Sequence, residues 1–231
     1  MATMEKSEAV KGTGNSSKRN VLLVDDHPAL REGLLERINR EADLTVCGEA
    51  QSGAEALNAI ARLGPDIVLL DLALPSSHGL EVLRDIHAQY PRLPVLIFSM
   101  HEESVYAERA LRCGARGYLM KHEPSARLLE GIRLVLSGGY ALSREASDRL
   151  LLAFSQPPKE HPDSPVANLG NRELEVFQFI GLGKGTREIA GQLGLSIKTI
   201  ETYRERIKQK LNLQSSSNLV RHAVRWVETG V

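Results

Sequence analysis

The sequence predicts two domains: a doubly wound α/β domain on a five-stranded parallel sheet, and a small all-α domain of four helices. Three observations support this fold class. Short apolar runs alternate with helical patterns as far as residue 137, only helical patterns follow residue 165, and a hydrophilic, proline-bearing stretch separates the two regions. The expected boundaries are therefore a disordered tail over residues 1–19, the α/β domain over 20–137, a linker over 138–165 and the all-α domain over 166–231.

The predicted strands are short runs of aliphatic and β-branched residues, which are typical of strands buried on both faces of a parallel sheet. They span Val21–Val24, Leu44–Ala50, Ile67–Leu70, Pro94–Ser99 and Gly117–Lys121. Apolar residues at helical spacing predict the helices that follow them, over Pro28–Ile38, Gly53–Leu63, Leu80–Tyr90, Val105–Cys113 and Ser125–Leu136. In the linker, only a helix fragment is expected before Pro157 and Pro158.

Four helices are predicted in the C-terminal region. They span Asn171–Ile180, Thr186–Leu193, Ile197–Leu211 and Ser216–Glu228. Thr186 and Ser196 are the expected N-caps of the second and third helices. The short turn at Gly194 between those two helices predicts a helix-turn-helix arrangement. The inner face of the third helix is expected to consist of four aliphatic side chains, Ile197, Ile200, Ile207 and Leu211.

Charge differs between the two regions, although the formal net charge of the chain is zero. Residues 166–231 contain ten Lys/Arg against six Asp/Glu, whereas residues 20–165 contain fifteen against twenty-one. A basic domain attached to an acidic one favours nucleic acid as the partner of the basic domain. The two cysteines form no Cys-x-x-Cys pair and no apolar run is long enough to span a membrane. We therefore expect reduced thiols, a cytoplasmic location and no membrane partner.

Polar side chains stand at or just beyond the carboxyl ends of four predicted strands. They are Asp25, Asp26, Asp71, Ser99 and Lys121. The carboxyl ends of parallel strands lie along one edge of the sheet, so these five side chains are expected to converge. Three crowded carboxylates favour a bound Mg²⁺, and Ser99 and Lys121 add donors suited to phosphoryl oxygens. The cluster therefore predicts phosphoryl transfer with Asp71 as the nucleophile.

The histidines near this edge predict no metal site of their own. His27 and His78 flank the carboxylates, and His101 follows Ser99 and is expected to be exposed. None of them pairs with a cysteine or another histidine at the sequence spacing of a metal site. A zinc or catalytic role is therefore not expected for any of them.

Four segments of the α/β region resemble the receiver domain of two-component response regulators, which has a flavodoxin-like fold. They are Val-Leu-Leu-Val-Asp25-Asp26-His, Asp71-Leu-Ala-Leu-Pro-Ser-Ser-His-Gly79-Leu-Glu, Ser99 and Gly117-Tyr118-Leu-Met-Lys121. The resemblance covers about residues 20–137 and is specific, because order, spacing and strand context agree.

The receiver resemblance implies a role for each residue of the cluster. Asp71 would accept phosphate from a partner sensor histidine kinase. Mg²⁺ would be held by Asp26, Asp71 and the carbonyl of Ala73, and Asp25 would act through water. The phosphoryl group would be bound by Ser99, which shifts together with Tyr118 as a switch pair, and would be paired with Lys121.

A dedicated hydrolase is the alternative from the enzyme class. Phosphatases with an aspartyl nucleophile need a general acid two residues later, where this sequence has Ala73. We therefore expect a phosphoacceptor with slow self-dephosphorylation rather than an enzyme.

The C-terminal region resembles the LuxR-type module of NarL/FixJ regulators through four segments, Arg172-Glu-Leu-Glu-Val, Arg187-Glu-Ile-Ala, Leu195-Ser-Ile-Lys-Thr-Ile-Glu-Thr-Tyr-Arg and Lys210-Leu. It departs from that pattern at Gly170, where a Ser or Thr cap is usual, so a looser helix end is expected. Glu201 and Tyr203 stand where Lys and His are common, which puts the usual base contacts in doubt. The residues expected to bind DNA are Lys198, Thr199, Glu201, Thr202, Arg204, Arg206 and Lys208, the last three cations at phosphates.

Together these features predict a DNA-binding transcription regulator that is switched by phosphorylation of Asp71 and dimerises when phosphorylated. Two other functions stay open at this point. The helical domain could bind a protein partner instead of DNA, or DNA binding could be independent of phosphate. A mobility shift with genomic fragments tests the first alternative, and the phosphorylation dependence of DNA affinity tests the second.

Overall fold

The computed structural model describes residues 18–74, 78–155 and 165–229. Most of the predicted tail and the proline-bearing middle of the predicted linker lie outside these ranges. The strands are β1 (Arg19–Val24), β2 (Leu44–Ala50), β3 (Ile67–Leu70), β4 (Val95–Ser99) and β5 (Gly117–Met120). They form one sheet in the order β2-β1-β3-β4-β5, and every neighbouring pair is parallel. The predicted parallel sheet is confirmed.

Helices cover both faces of the sheet, as the doubly wound prediction requires. They are α1 (Pro28–Asn39), α2 (Gly53–Leu63), α3 (Gly79–Gln89), α4 (Glu103–Arg112) and α5 (Ser125–Leu136). The apolar faces of α1 and α5 pack on one side of the sheet, and those of α2, α3 and α4 pack on the other. All four residues of β3 are buried, in agreement with its continuous apolar run.

The start of α3 brings a helix end against the carboxyl end of β3. A Cβ atom at Gly79 would collide with the backbone of Asp71 and Leu72. The amide of Gly79 donates a hydrogen bond to the carbonyl of Leu72 over 2.9 Å. Glycine is therefore needed at this position because the two backbones approach each other closely.

The chain beyond α5 continues along the sheet before it leaves the α/β domain. Tyr118 donates its backbone N–H to the carbonyl of Ala141 over 2.7 Å, and Ala141 is fully buried. Helix α6 (Arg144–Ser155) follows and contacts α4. The stretch for which the sequence predicts only a helix fragment thus forms a regular helix of 12 residues.

The C-terminal domain is all-α, as predicted. After a 3₁₀ turn (Pro165–Asn168), it contains α7 (Asn171–Gly181), α8 (Thr186–Gln192), α9 (Ile197–Lys210) and α10 (Ser216–Thr229). Phe177 and Trp226 lie at its centre with their ring centroids 5.5 Å apart. None of the helices in the described ranges has the length and apolar content needed to cross a bilayer.

Helix ends in this domain confirm one predicted cap and correct another. The Ser196 hydroxyl accepts a hydrogen bond from the Thr199 amide over 3.1 Å, so Ser196 caps α9 as expected. The prediction for Thr186 is wrong, since α8 begins at that residue and Gly185 is its N-cap. Gly185 has no side chain that could cap the helix. The Glu188 carboxylate instead accepts a hydrogen bond from the Gly185 amide, so this backbone group has a partner.

The first helix of the domain is also held without a Ser or Thr cap. The Glu173 carboxylate accepts the Gly170 amide and the Lys210 ammonium, each over 2.7 Å. Glu173 therefore connects the start of α7 to the end of α9. These contacts compensate for the missing Ser or Thr cap, from which a looser helix end is expected at Gly170.

The two domains are packed against each other. Apolar side chains of α7–α10 belong to the same contiguous cluster as Tyr106 and Ala107 of α4. Arg109 of α4 donates to the carbonyl of Leu169 over 2.8 Å, and Arg172 of α7 donates to the carbonyl of Leu74 over 3.1 Å. The C-terminal domain therefore contacts the loop that follows β3.

Candidate functional site

Asp71 directly follows β3 and is almost completely buried, with 2% of its surface exposed. Its Oδ1 accepts a hydrogen bond from the Ser99 hydroxyl over 2.8 Å, and its Oδ2 accepts from the Lys121 ammonium over 2.6 Å. A buried carboxylate needs such partners, because an unpaired charge in the interior is strongly unfavourable. The structure thus brings together three of the five side chains that the strand ends predict.

Lys121 connects two of the predicted carboxylates. Its ammonium lies 2.6 Å from Asp25 Oδ2 as well as from Asp71 Oδ2, and the side chains of all three residues are at most 5% exposed. Arg31 donates to the backbone carbonyl of Asp25 over 2.7 Å and to Glu49 over 3.0 Å. The lysine is thus the cation that the two buried carboxylates share.

Asp26 lies at the outer side of the same cluster. Its Oδ1 makes no hydrogen bond with the described residues, since His27 Nδ1, although 2.8 Å away, makes its hydrogen bond with Asp25 Oδ1 over 3.1 Å. Asp25, Asp26, His27 and Asp71 each offer one ligand atom, and these atoms lie within 4.8 Å of one another. A carboxylate oxygen that lacks a donor, beside two further carboxylates, fits the preference of Mg²⁺ for oxygen ligands.

Ser99 and Tyr118 are joined through the backbone of His101. The Tyr118 hydroxyl donates to the His101 carbonyl over 2.8 Å, and the His101 amide donates to the Ser99 hydroxyl oxygen over 3.4 Å. Tyr118 is fully buried, and this burial raises the pKa of its phenol well above the ordinary value. The phenol therefore acts as a neutral donor at physiological pH.

The site also contains a buried cluster for which the sequence gives no signal. His101 Nε2 lies 3.0 Å from Glu175 Oε1, which belongs to α7 of the other domain, and Arg172 donates to Glu175 Oε2 over 2.7 Å. His78 lies beside them and is fully buried, and its Nδ1 accepts the Leu80 amide over 3.1 Å. The prediction that His101 is exposed is wrong, since only 11% of its side chain is accessible.

Burial and neighbouring charges shift the pKa values of His78 and Glu175 in this cluster. Burial lowers the pKa of His78 to about 4, so its ring is neutral at pH 7. Burial alone would raise the pKa of Glu175, but the hydrogen bond from His101 and the nearby Arg172 guanidinium hold it below its ordinary value. A charged carboxylate is therefore retained inside the contact between the domains.

Helix α9 carries the predicted DNA-binding residues. Lys198, Glu201, Thr202 and Arg206 are exposed, and Thr199, Arg204 and Lys208 are half-buried. Thr199 is engaged with the Ser196 cap, and the Lys208 ammonium lies 2.8 Å from a carboxylate oxygen of Glu205. Of the predicted inner face, Ile200, Ile207 and Leu211 are buried, but Ile197 is 42% exposed and does not belong to it.

Both domains match known families. Residues 21–133 match the response regulator receiver domain, and residues 167–223 match the family described as bacterial regulatory proteins, luxR family. The oxygen regulatory protein NreC of Staphylococcus carnosus is 32% identical over 209 residues, which cover 89% of this chain and 96% of that protein. NreC of Staphylococcus aureus gives the same identity and coverage.

Solved structures agree with these matches. A two-component response regulator of the LuxR family from Aurantimonas sp. is 35% identical with a TM-score of 0.56, covering 61% of this chain and all of that one. RcsB of Salmonella enterica serovar Typhimurium, solved on the rprA promoter with the phosphomimetic BeF₃⁻, shares the fold at 22% identity. Its TM-score is 0.58, and the match covers 90% of this chain and 99% of that one. With a receiver domain, a LuxR-type domain and relatives that span both, the chain belongs to the two-component response regulators of the NarL/FixJ type, which regulate transcription.

Proposed function

We propose that Asp71 is the residue that accepts phosphate from a sensor histidine kinase and that its phosphorylation controls DNA binding by the C-terminal domain. One observation carries the proposal. Asp71 is a buried carboxylate at the carboxyl edge of the sheet, and its two oxygens are held by Ser99 and Lys121. Those two donors are suited to the extra oxygens that a phosphoryl group would bring.

In the proposed reaction, a carboxylate oxygen of Asp71 attacks the phosphorus of the kinase phosphohistidine. The P–O bond forms as the P–N bond breaks, and the histidine nitrogen keeps the electron pair. Lys121 and Ser99 then turn from the free carboxylate to phosphoryl oxygens, so the charge that develops during transfer meets a fixed cation and a hydroxyl donor.

Mg²⁺ fits this site as a cofactor because three carboxylates converge and one oxygen of Asp26 lacks a donor among the described residues. Asp26, Asp71 and the carbonyl of Ala73 would hold it, with Asp25 acting through water. When bound, the ion would neutralise negative charge on the transferring phosphoryl group.

Slow self-dephosphorylation is the expected fate of the phosphate. Water must attack phosphorus while Asp71 leaves, and a fast hydrolase would protonate the leaving group or activate the water. Ala73, which lines the same cleft as Asp26 and His27, has no titratable group for either task. We therefore assign the chain as a phosphoacceptor and not as a phosphatase.

Two contacts could carry the phosphorylation signal to the DNA-binding domain. Arg172 donates to the carbonyl of Leu74, three residues after Asp71, and Glu175 pairs with His101, two residues after Ser99. A shift of Ser99 towards the phosphoryl group would disturb the backbone of His101, which Ser99 and Tyr118 both contact. We propose that this loosens the domain contact and frees the second domain to bind DNA as a homodimer.

The domain assignment and the DNA contacts belong to the same proposal. It takes residues 20–137 as the receiver, 138–165 as the linker and 166–231 as the DNA-binding domain of a cytoplasmic protein. On α9, we assign Lys198, Thr199, Glu201 and Thr202 to the neighbourhood of bases, since recognition helices read bases near their N-terminal ends. We assign Arg204, Arg206 and Lys208 to phosphates.

The phosphoacceptor is tested by two aspartates that flank the same strand. Asp71→Asn should abolish Mg²⁺-dependent labelling by a small phosphodonor, because an amide is not a nucleophile towards phosphorus. Asp66→Asn is the matched control, since Asp66 precedes β3 and pairs with Arg19 at the opposite edge. The wild type and Asp66→Asn should gain DNA affinity with the phosphodonor. Labelling that persists in Asp71→Asn would refute the assignment.

The DNA contacts are tested by comparing two residues of α9. Lys208→Ala should weaken binding to all sequences and reduce the slope of log affinity against log salt by about 1, because one phosphate contact is lost. Thr202→Ala should change the ranking of sequences and leave the salt slope unchanged. Fluorescence anisotropy on a panel of duplexes at several salt concentrations measures both. A salt-independent affinity of the wild type would contradict the assignment.

A further inference from the structure

We propose that His78, His101 and Glu175 form a second metal site, selective for Zn²⁺ and similar transition-metal ions, that joins the receiver to the DNA-binding domain. The site uses none of the carboxylates around Asp71, and its three residues meet in the chain without phosphate. His78 lies at the start of α3, His101 in the loop after β4, and Glu175 on α7. Two imidazoles and a carboxylate are a common ligand set for zinc.

The three side chains are already close to the required geometry. Each offers one ligand atom, and these atoms lie within 4.8 Å of one another. His101 Nε2 and Glu175 Oε1 are 3.0 Å apart. Zinc bonds of about 2.0–2.1 Å in a tetrahedral site place neighbouring ligand atoms roughly 3.3 Å apart. Small side-chain rotations would therefore suffice, and a water would complete the fourth position.

His78 supplies the independent observation that points to a ligand. Its side chain is fully buried, and its Nε2 has no hydrogen-bond partner among the residues that the structure describes. Buried polar atoms in folded proteins nearly always have a partner, so a lone one in a cluster of metal-ligand side chains requires an explanation. Because Nδ1 accepts the Leu80 amide, the ring is not doubly protonated, and neutral histidine is the form that binds metals.

The exchange of partners on metal binding can be written out. His78 Nδ1 accepts the Leu80 amide, so the proton of the metal-free ring is on Nε2. Binding through Nε2 moves this proton to Nδ1 and breaks that hydrogen bond. His101 donates its Nε2 proton to Glu175 in the metal-free chain, so this proton must also move to Nδ1 before the Nε2 lone pair can face the metal. Glu175 Oε1 exchanges His101 for the metal, while its Oε2 keeps Arg172. No electrons are transferred, and the negative charge of Glu175 partly neutralises the bound dication.

The ligand type separates this site from the carboxylate cluster. Imidazole nitrogens favour Zn²⁺, Co²⁺ and Ni²⁺, whereas Mg²⁺ prefers oxygen ligands and retains water. Because Glu175 is the single ligand from the second domain, a metal bound here would hold that domain against the receiver. The ion would therefore favour the packed arrangement of the two domains.

The test uses the full chain, stripped of metal and then kept in millimolar Mg²⁺ so that the carboxylate cluster is filled. Zn²⁺ affinity is measured by competition with a chromophoric chelator, and Co²⁺ is followed by its visible absorption bands. The variants are His101→Ala and His78→Asn, in which asparagine can still cap the Leu80 amide. The controls are His27→Ala in the carboxylate cluster and His87→Ala at an exposed position of α3.

We expect one Zn²⁺ per chain in the wild type and both controls, and at least tenfold weaker binding in His101→Ala and His78→Asn. Circular dichroism spectra that match the wild type show that the variants are folded. No uptake by the wild type, or equal affinity in all five proteins, would overturn the proposal. A loss confined to His27→Ala would overturn it as well, because the metal would then lie at the carboxylates. Phosphate labelling of Asp71 is measured in a separate experiment. Failure of the metal-site proposal can therefore be distinguished from failure of the phosphoacceptor proposal.

Discussion

Two clusters of titratable side chains lie at the carboxyl edge of the sheet, and they respond to burial in different ways. Around Asp71, two buried carboxylates share the Lys121 ammonium within a single domain. Around His78, the ring stays neutral and one of its nitrogens has no partner among the described residues. The first cluster is paired by its own fold, whereas the second depends on a residue of the other domain.

The origin of each cluster explains this difference. Asp71 and Lys121 directly follow strands and Ser99 ends one, and the register of these strands is fixed by backbone hydrogen bonds, so the three positions are set once the sheet forms. His101 and Glu175 are 74 residues apart and meet only because α7 packs on the receiver. A cluster made at a domain contact can be opened without unfolding either domain, which suits it to regulation.

Removal of Lys121 should have the largest effect and would test the claim that the Asp71 cluster is internally paired. Lys121→Ala leaves Asp25 and Asp71 buried without their cation, so the free energy of unfolding in chelator should fall by about 3–5 kcal/mol. Added Mg²⁺ should restore more stability to the variant than to the wild type. Urea unfolding followed by circular dichroism measures both quantities.

Lys198→Ala is the control for that experiment, because Lys198 is an exposed lysine of α9. Its stability should match the wild type within about 0.5 kcal/mol. If Lys121→Ala were equally mild, the two carboxylates would have to be screened by water, and the comparison between a paired cluster and an unpaired one would fail.

The Asp71 cluster could be predicted from the sequence because each member ends an apolar strand or stands just beyond one. The same reasoning holds for the core of α9. Ile200, Ile207 and Leu211 lie within about 40° of one another around the helix and are buried, whereas Ile197, the first residue of the helix, lies about 60° from Ile200 and about 80° from Ile207 and is exposed. Periodicity therefore identifies a buried face only when the angles are compared residue by residue.

The His78 cluster could not be predicted in this way. No spacing rule relates His101 to Glu175, because their contact depends on the shapes of two folded surfaces. The sequence also gives no indication that Ala141 pairs with the edge strand or that α6 is a full helix, since both lie in a stretch that ends in a proline-rich run. Predictions based on local pattern fail where structure is set by packing between distant segments.

Acidification should have the next largest effect and would test the neutrality of His78. The pKa of this ring is about 4 when folded and 6.5 in the unfolded chain, so the unfolded chain binds an extra proton between these values. Stability attributable to His78 is therefore complete above about pH 6.5 and is lost as the pH falls towards 4. Between about pH 7 and pH 5, the loss should be about 2 kcal/mol.

His78→Asn isolates this contribution, because asparagine does not titrate and can still accept the Leu80 amide. Urea unfolding in chelator at both pH values should show a smaller loss for the variant by about 2 kcal/mol. Parallel losses in the two proteins would mean that the buried ring takes up its proton as easily as an exposed one. The contrast with the Asp71 cluster would then disappear.

The smallest effect should come from weakening the domain contact without removing a side chain. Glu175→Gln keeps an oxygen that can accept from His101, but the contact with the receiver loses its negative charge. Arg172, which donates to the Leu74 carbonyl of the receiver, also loses its ion-pair partner. The packed arrangement should become less favourable, and DNA affinity without a phosphodonor should rise several-fold, about 1 kcal/mol. Glu173→Gln is the matched control, because Glu173 is two residues away on α7 and pairs with Lys210 inside its own domain. Fluorescence anisotropy should show no gain for the control. Equal gains in both variants would place the effect inside the DNA-binding domain, so the cluster that spans both domains would not restrain DNA binding.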